Sequence, residues 1–185
     1  MNDTLFVGEL VRLAALDEKA DAEAFARWSR DSEFWRLMDT RLSREWSADR
    51  VREELGGLSG ANFFLFTTRT LDDDRLIGHV TLEVNHWQHG EGWVGIGLGE
   101  REYWGRGYGT DAMRLILRYA FAELNLHRVS LTVFDYNPRA VRSYEKCGFL
   151  DEGRMRQCLN RDGRRWDMIF MGILREEWEK GNSRS

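Results

Sequence analysis

Three glycines fall within five residues in the stretch YWGRGYGTDAM, residues 103–113, and an apolar helical pattern follows at once. Glycine costs backbone entropy, so such a cluster marks a tight bend or a close approach of the backbone to something else. The loop follows a strand-like run and opens a helix. That places free amide N–H groups and the positive end of a helix dipole at one point, which is the chemistry of an anion site. Gly105, Gly107 and Gly109 would bring the backbone near a phosphate without Cβ obstruction. On spacing alone a tight strand-to-helix turn is an equally good reading. No Lys-Ser/Thr pair follows, which excludes a Walker-type loop, and the later glycine spacing does not fit a dinucleotide fingerprint. Asp111 must point away from any bound anion, leaving Thr110 as a capping candidate.

A second stretch, NPRAVRSYEKCGF at 137–149, also carries chemistry. Asn137 suits an N-cap, Pro138 the first helical position and Gly148 the residue that ends a helix. Asn137, Val141 and Tyr144 lie at i, i+4 and i+7, so one helix face presents a phenol two turns below an N-terminus. By spacing alone Tyr144 is more often a packing aromatic. His86 and His89 sit in a turn without partner cysteines, and His79 lies within a strand, so no metal site is expected. Cys147 and Cys158 lack metal-like spacing, and Cys147 has no paired base, which argues against a covalent route.

The elements that must hold these residues alternate along the chain. Strands are expected at 10–16, 62–70, 76–84, 93–99, 128–134, 153–159 and 165–174, with turns at 71–75 and 85–92. Helices are expected at 17–35, 48–58, 110–124 and 138–147, the second beginning near Ser47. Hairpins first, then strand-helix-strand-helix-strand, indicate an α/β (α+β) fold with a mixed, mostly antiparallel sheet flanked by helices. The 185 residues form a single domain over 10–178, with a frayed polar tail at 179–185. A net charge of -4 excludes a non-specific grip on nucleic acid or an anionic membrane. No apolar run is long enough to span a bilayer, no secretory segment opens the chain, and the cysteines read as reduced thiols of a cytoplasmic protein.

Taken together, the two motifs resemble the GNAT superfamily of acetyl-CoA-dependent N-acetyltransferases. The resemblance is strongest to the branch holding ribosomal-protein N-terminal and spermidine acetyltransferases, and LNLHRVSLTVFDYNPRAVRSYEKCGF and RDGRRWDMIFMGILREEW share it. It covers about 10–178. The family's pyrophosphate pattern, Arg/Gln-x-x-Gly-x-Gly/Ala, falls on Trp104, Gly105, Arg106, Gly107, Tyr108 and Gly109. Trp104 departs from the expected Arg or Gln, as Trp-Gly-x-Gly-Tyr does elsewhere in this branch. The resemblance implies that amides from Gly105 through Thr110 hold the pyrophosphate of acetyl-CoA. It also implies that Ile96, Gly97 and Leu98 lie along the pantetheine arm on a splayed strand, and that Asn137 belongs to the same site. A charge-assisted contact from Arg106 is one option and a solvated side chain the other.

The implied reaction is direct attack of a neutral amine on the thioester. Backbone amides of the splayed strand would meet the oxyanion, and Tyr144 would protonate the departing sulfur. Glu83 is the first candidate for the base, beside the alternative of a solvent-side strand carboxylate; Glu100, Glu102, Asp31 and Glu33 follow it. Trp28, Phe34, Trp35 and Trp46 are expected to wall the acceptor pocket. The acceptor is a primary amine, first a protein N-terminus, then a polyamine or an antibiotic. A homodimer is a family expectation. A non-catalytic acyl-CoA sensor and a nucleotide-binding module are the alternatives of other classes.

Overall fold

A computed structural model describes residues 5–57 and 60–182. Within them the strands are β1 (Val11–Ala15), β2 (Phe63–Thr70), β3 (Leu76–His86), β4 (Glu91–Leu98), β5 (Arg128–Phe134), β6 (Leu150–Arg161) and β7 (Arg164–Leu174). The helices are α1 (Glu18–Ser29), α2 (Ser32–Met38), α3 (Ala48–Gly56), α4 (Tyr108–Arg118), α5 (Pro138–Lys146) and α6 (Arg175–Asn182). The seven strands form one sheet in the order β1-β2-β3-β4-β5-β7-β6. Every neighbouring pair is antiparallel except β4 and β5, so the expected mixed, mostly antiparallel sheet is what the chain forms.

Strand alternation assigns the two faces. Val80, Leu82 and Val84 of β3 join Leu115, Ile116 and Phe121 in the principal core beneath α4. The intervening His79 faces α1, its ring 5.3 Å from Phe25. A smaller apolar cluster of Ala22, Ala26, Val51 and Leu55 joins α1 to α3 on that face. Asp111 fixes α4 to the start of β1. Its buried carboxylate accepts from the Leu10 N–H at 2.7 Å and the Val11 N–H at 3.0 Å, and so turns away from the glycine loop.

Several elements differ from expectation. The helix expected over 17–35 is two helices, because the Asp31 side chain accepts from the Glu33 and Phe34 amides and starts a new helix there. The break re-aims Phe34, Leu37 and Met38. The end of the second expected helix, Leu58, lies outside the described residues. Helix α4 begins at Tyr108 rather than Thr110, since Gly107 adopts φ 95° at the N-cap. Its last turn widens into a π-helical turn at Tyr119–Glu123. The turn expected over 85–92 is shorter: β3 runs to His86, a 3-10 turn spans Trp87–His89, and β4 starts at Glu91. Residues 179–182, expected to fray, complete α6, where the Asn182 side chain donates to the Trp178 carbonyl.

Asp111→Ala should leave two amides near the core without an acceptor. A loss of about 2–4 kcal/mol in urea unfolding is expected, with Asp111→Asn, which keeps an acceptor oxygen, losing clearly less.

Candidate active site

The parallel ladder between β4 and β5 is short. It pairs Glu91 with Arg128, Gly92 with Val129 and Trp93 with Ser130, and then stops. Beyond Trp93 the strands diverge, and a cleft of about 390 Å³ opens between them. One wall is β4 from Trp93 to Leu98; the other is Thr132 to Phe134 with Asn137, Ala140 and Tyr144. Strands that part in this way leave main-chain groups free to pair with an extended, amide-bearing ligand.

The glycine loop closes one end. Gly105 and Gly107 hold φ of 72° and 95°, backbone that a side chain rarely adopts, whereas Gly109 sits within the first helical turn. Gly105, Gly107, Gly109 and Thr110 all line the cleft. Asp17, Asp31, Ser47 and Asn137 cap α1, α2, α3 and α5 through their side chains, but no side chain caps α4. The first amides of α4 are therefore uncommitted, beside positive dipole charge, at the cleft wall. Thr110, the expected cap, instead exchanges a 2.7 Å hydrogen bond with Ser143 Oγ and so ties α4 to α5. Free strand edges along the wall and uncommitted amides at one end suit a thioester on a pantetheine arm ending in a pyrophosphate.

Trp104 braces the cradle. Its indole N–H donates to the Leu98 carbonyl at 2.7 Å, and the Arg139 guanidinium lies 4.0 Å from its ring centre. Arg106 and Tyr108 do not line the cleft. Arg106 is exposed and donates to the Glu102 carbonyl at 3.2 Å, and Tyr108 packs edge-on against Tyr103 at 4.8 Å. Ile96, Gly97, Leu98, Trp104, Asn137 and Tyr144 all line this cleft.

Tyr144 is half-buried, with its ring 6.0 Å from Phe149 and no hydrogen bond from its hydroxyl among the described residues. Burial, and next the neighbouring Cys147, push the phenol well above its ordinary value, so it stays protonated through the neutral range. Burial also pushes the Cys147 thiol up to about 11 against the pull of Arg114, which leaves it a poor nucleophile. His79 is drawn down to about 4 by burial and is neutral at pH 7.

The carboxylate candidates separate. Glu83 is exposed, registers opposite Trp93 across the β3–β4 ladder and lies outside the lining. Glu100 accepts from the Trp28 indole at 2.9 Å and pairs with Arg27 and Arg75. Burial raises its pKa, but these donors outweigh burial and hold it below the usual range. Arg101 pairs with Asp31 and Glu33, and its hydrogen bond is the main reason the Asp31 carboxyl is held down. Glu102 pairs with Arg75 at 2.5 Å.

Of the four aromatic residues expected in the acceptor wall, Phe34 lines the cleft. Trp28 is core, fixed by Glu100, and Trp35 and Trp46 pack on one another at 5.9 Å. Leu37, Met38, Trp93, Arg139, Arg142 and Lys146 complete the lining and were not anticipated. The spacing of Arg139, Arg142 and Lys146 at i, i+3 and i+7 was the available signal.

A family model described as an acetyltransferase (GNAT) domain matches residues 11–150. The chain belongs to the GNAT family. It is 31% identical over 177 residues to the SPbeta prophage-derived uncharacterized N-acetyltransferase YokL of Bacillus subtilis, covering 95% of this chain and 96% of that one. It is 38% identical over 77 residues to the spermidine N(1)-acetyltransferase of Vibrio cholerae, covering 42% and 44% of the two chains. The crystal structure of spermidine N-acetyltransferase from Vibrio cholerae in complex with CoA and spermine matches with a TM-score of 0.81 at 26% identity, over 91% of this chain and 98% of that one. As a GNAT protein the chain is an acyltransferase, and acetyl-CoA is its cosubstrate.

Two substitutions test how this GNAT cleft handles that cosubstrate. Gly107→Val should strain the φ 95° backbone and obstruct the cradle, weakening coenzyme A about tenfold or more in calorimetry while S-acetylpantetheine, which lacks the pyrophosphate, is little affected. Tyr144→Phe keeps the ring and should lower kcat about tenfold with KM for acetyl-CoA unchanged. The wild-type kcat should not fall on the alkaline side until above about pH 10, the ordinary tyrosine value.

Proposed function

We propose that the chain moves the acetyl group of acetyl-CoA to the α-amine of a protein or peptide N-terminus by direct attack. The carrying observation is that the carboxylates around the cleft mouth, Asp31, Glu33, Glu100 and Glu102, are each paired with an arginine. Among the described residues the cleft lining adds no Asp or Glu to these. A polyamine brings several ammonium groups and calls for carboxylates to receive them. A lone α-amine does not. Its pKa is about 8, so about a fifth of it is neutral near pH 7.4, against about one part in a thousand for an amine of pKa about 10.4. With Glu100, Asp31, Glu33 and Glu102 held by arginines, an acceptor that needs little help from a base suits the site.

In this reading the amine lone pair attacks the thioester carbonyl carbon. Amides on the free edge of β4 beyond Trp93 stabilise the oxyanion. The C–S bond breaks as the intermediate collapses, and Tyr144 gives its proton to the departing sulfur. The nitrogen sheds its proton to water, or through water to Glu83, and solvent reprotonates Tyr144. Asn137, whose side chain caps α5 by accepting from the Ala140 amide at 3.3 Å, holds the helix carrying Tyr144 in place. The second reading is spermidine acetylation, favoured by the names of the Vibrio cholerae relative and structure.

An acceptor panel of N-terminal peptides and spermidine, followed by release of free thiol, separates the two. The peptide's kcat/KM should exceed that of spermidine and should rise with pH to a plateau near the amine's own pKa of about 8. Glu83→Gln should reduce spermidine turnover more than peptide turnover. Preference for spermidine by the wild-type protein would overturn the α-amine reading.

A further inference from the structure

Position 104 is where the family pattern puts an Arg or Gln, and this chain has Trp. The loop has thereby lost a polar side chain at its entrance. Arg106, the cation within the loop, turns out to the Glu102 carbonyl and leaves the cleft. The opposite wall supplies an unusual arginine. Arg139 lines the cleft from the first turn of α5, and its guanidinium stacks 4.0 Å from the centre of the Trp104 ring. It makes no hydrogen bond and no ion pair among the described residues. Two other arginines near this end are taken: Arg101 by Asp31 and Glu33, and Arg75 by Glu100 and Glu102.

The N–H groups of this half-buried guanidinium meet no protein acceptor among the described residues, so they are available to an anion in the cleft. Contact with the ring face removes much of the group's rotamer freedom beforehand, while its N–H groups have no hydrogen-bond partner among the described residues and are left for a phosphate oxygen. Arg142 and Lys146 continue the same helix face but are exposed and carry no such brace.

We propose that Arg139, held by the Trp104 ring, is a binding residue for the pyrophosphate of coenzyme A and replaces from α5 the polar side chain that the glycine loop lacks. The inference rests on the cradle described above. Trp104 then has two tasks. Its indole N–H fixes the end of β4 through the Leu98 carbonyl, and its face orients the cation. The pyrophosphate would lie between uncommitted amides of α4 on one side and a pre-placed fork of N–H donors on the other.

Three ligands and two variants decide it, by calorimetric binding to the full chain. Coenzyme A carries the pyrophosphate and a 3′-phosphate, dephospho-coenzyme A keeps only the pyrophosphate, and pantetheine has neither. Arg139→Ala should weaken coenzyme A and dephospho-coenzyme A alike, by about 10- to 100-fold, and leave pantetheine unchanged. The salt dependence of coenzyme A binding should become shallower. Arg139→Lys should recover only part of the loss, because an ammonium offers a point charge without the planar fork. A loss confined to coenzyme A would place Arg139 at the 3′-phosphate and overturn the proposal, as would an equal loss for pantetheine or none for any ligand. Gly107→Val, run beside it, separates the two levels. If Gly107→Val discriminates among the ligands and Arg139→Ala does not, the cradle stands and the arginine assignment falls; if neither does, both fall.

Discussion

A parallel ladder that ends after three residue pairs is the constraint on which the site depends. Were β4 and β5 to stay paired past Trp93 and Ser130, their backbone groups would satisfy one another and the sheet would be continuous. Because they part, a seven-stranded sheet acquires a slot through its middle without exposing its core. Each neighbour of the slot has a partner on its far side: β3 secures β4 along nearly its whole length, and β7 secures β5 from Arg128 to Phe134. The opening is thus braced on both sides by ladders that do not depend on each other.

The chemistry at each end of the slot follows from what has been left uncapped or unpaired. Four helices spend a side chain on their first amides, while α4 begins on a glycine that has none to spend. Carboxylates around the mouth are consumed by arginines, and the phenol of Tyr144 is kept protonated by burial. Buried polar groups are ordinarily satisfied, so groups that remain free in a cleft wall carry more functional meaning than their number suggests.

Much of this was legible in the chain. The strand at 128–134 is found to the residue, because RVSLTVF is rich in β-branched and apolar residues and most of it is buried. The Asn137-Pro138 start and the Gly148 stop fixed α5 by local chemistry alone. What was not legible depends on distant partners. Asp31 looks like any polar residue on a helix surface until its carboxylate is seen capping α2. Trp28 and Phe34 are both buried aromatics, yet only Phe34 also reaches the cleft lining, a difference that follows from the turn between α1 and α2. Arg139 carries no local signal, because an arginine on a polar helix face is ordinarily solvated and nothing nearby in the chain reveals the Trp104 ring above it. The divergence of β4 and β5 came from resemblance and could not come from periodicity, which reports the face of a strand and not its neighbours.

The buried Gly97 bears on how the two halves of the cleft can move. A Cβ there would stand 2.7 Å from Met38 Sδ and 3.1 Å from His79 Cε1, so α2 rests on the bare backbone of β4 with no room between. Helix α2, which lines the cleft through Phe34, Leu37 and Met38, and strand β4, which forms its wall, are therefore in mechanical contact there. Displacing either presses on the other. The contacting side chain is a methionine, unbranched and able to change rotamer at little cost. The two walls are consequently coupled through a compliant joint, one that passes on a large displacement and absorbs a small one.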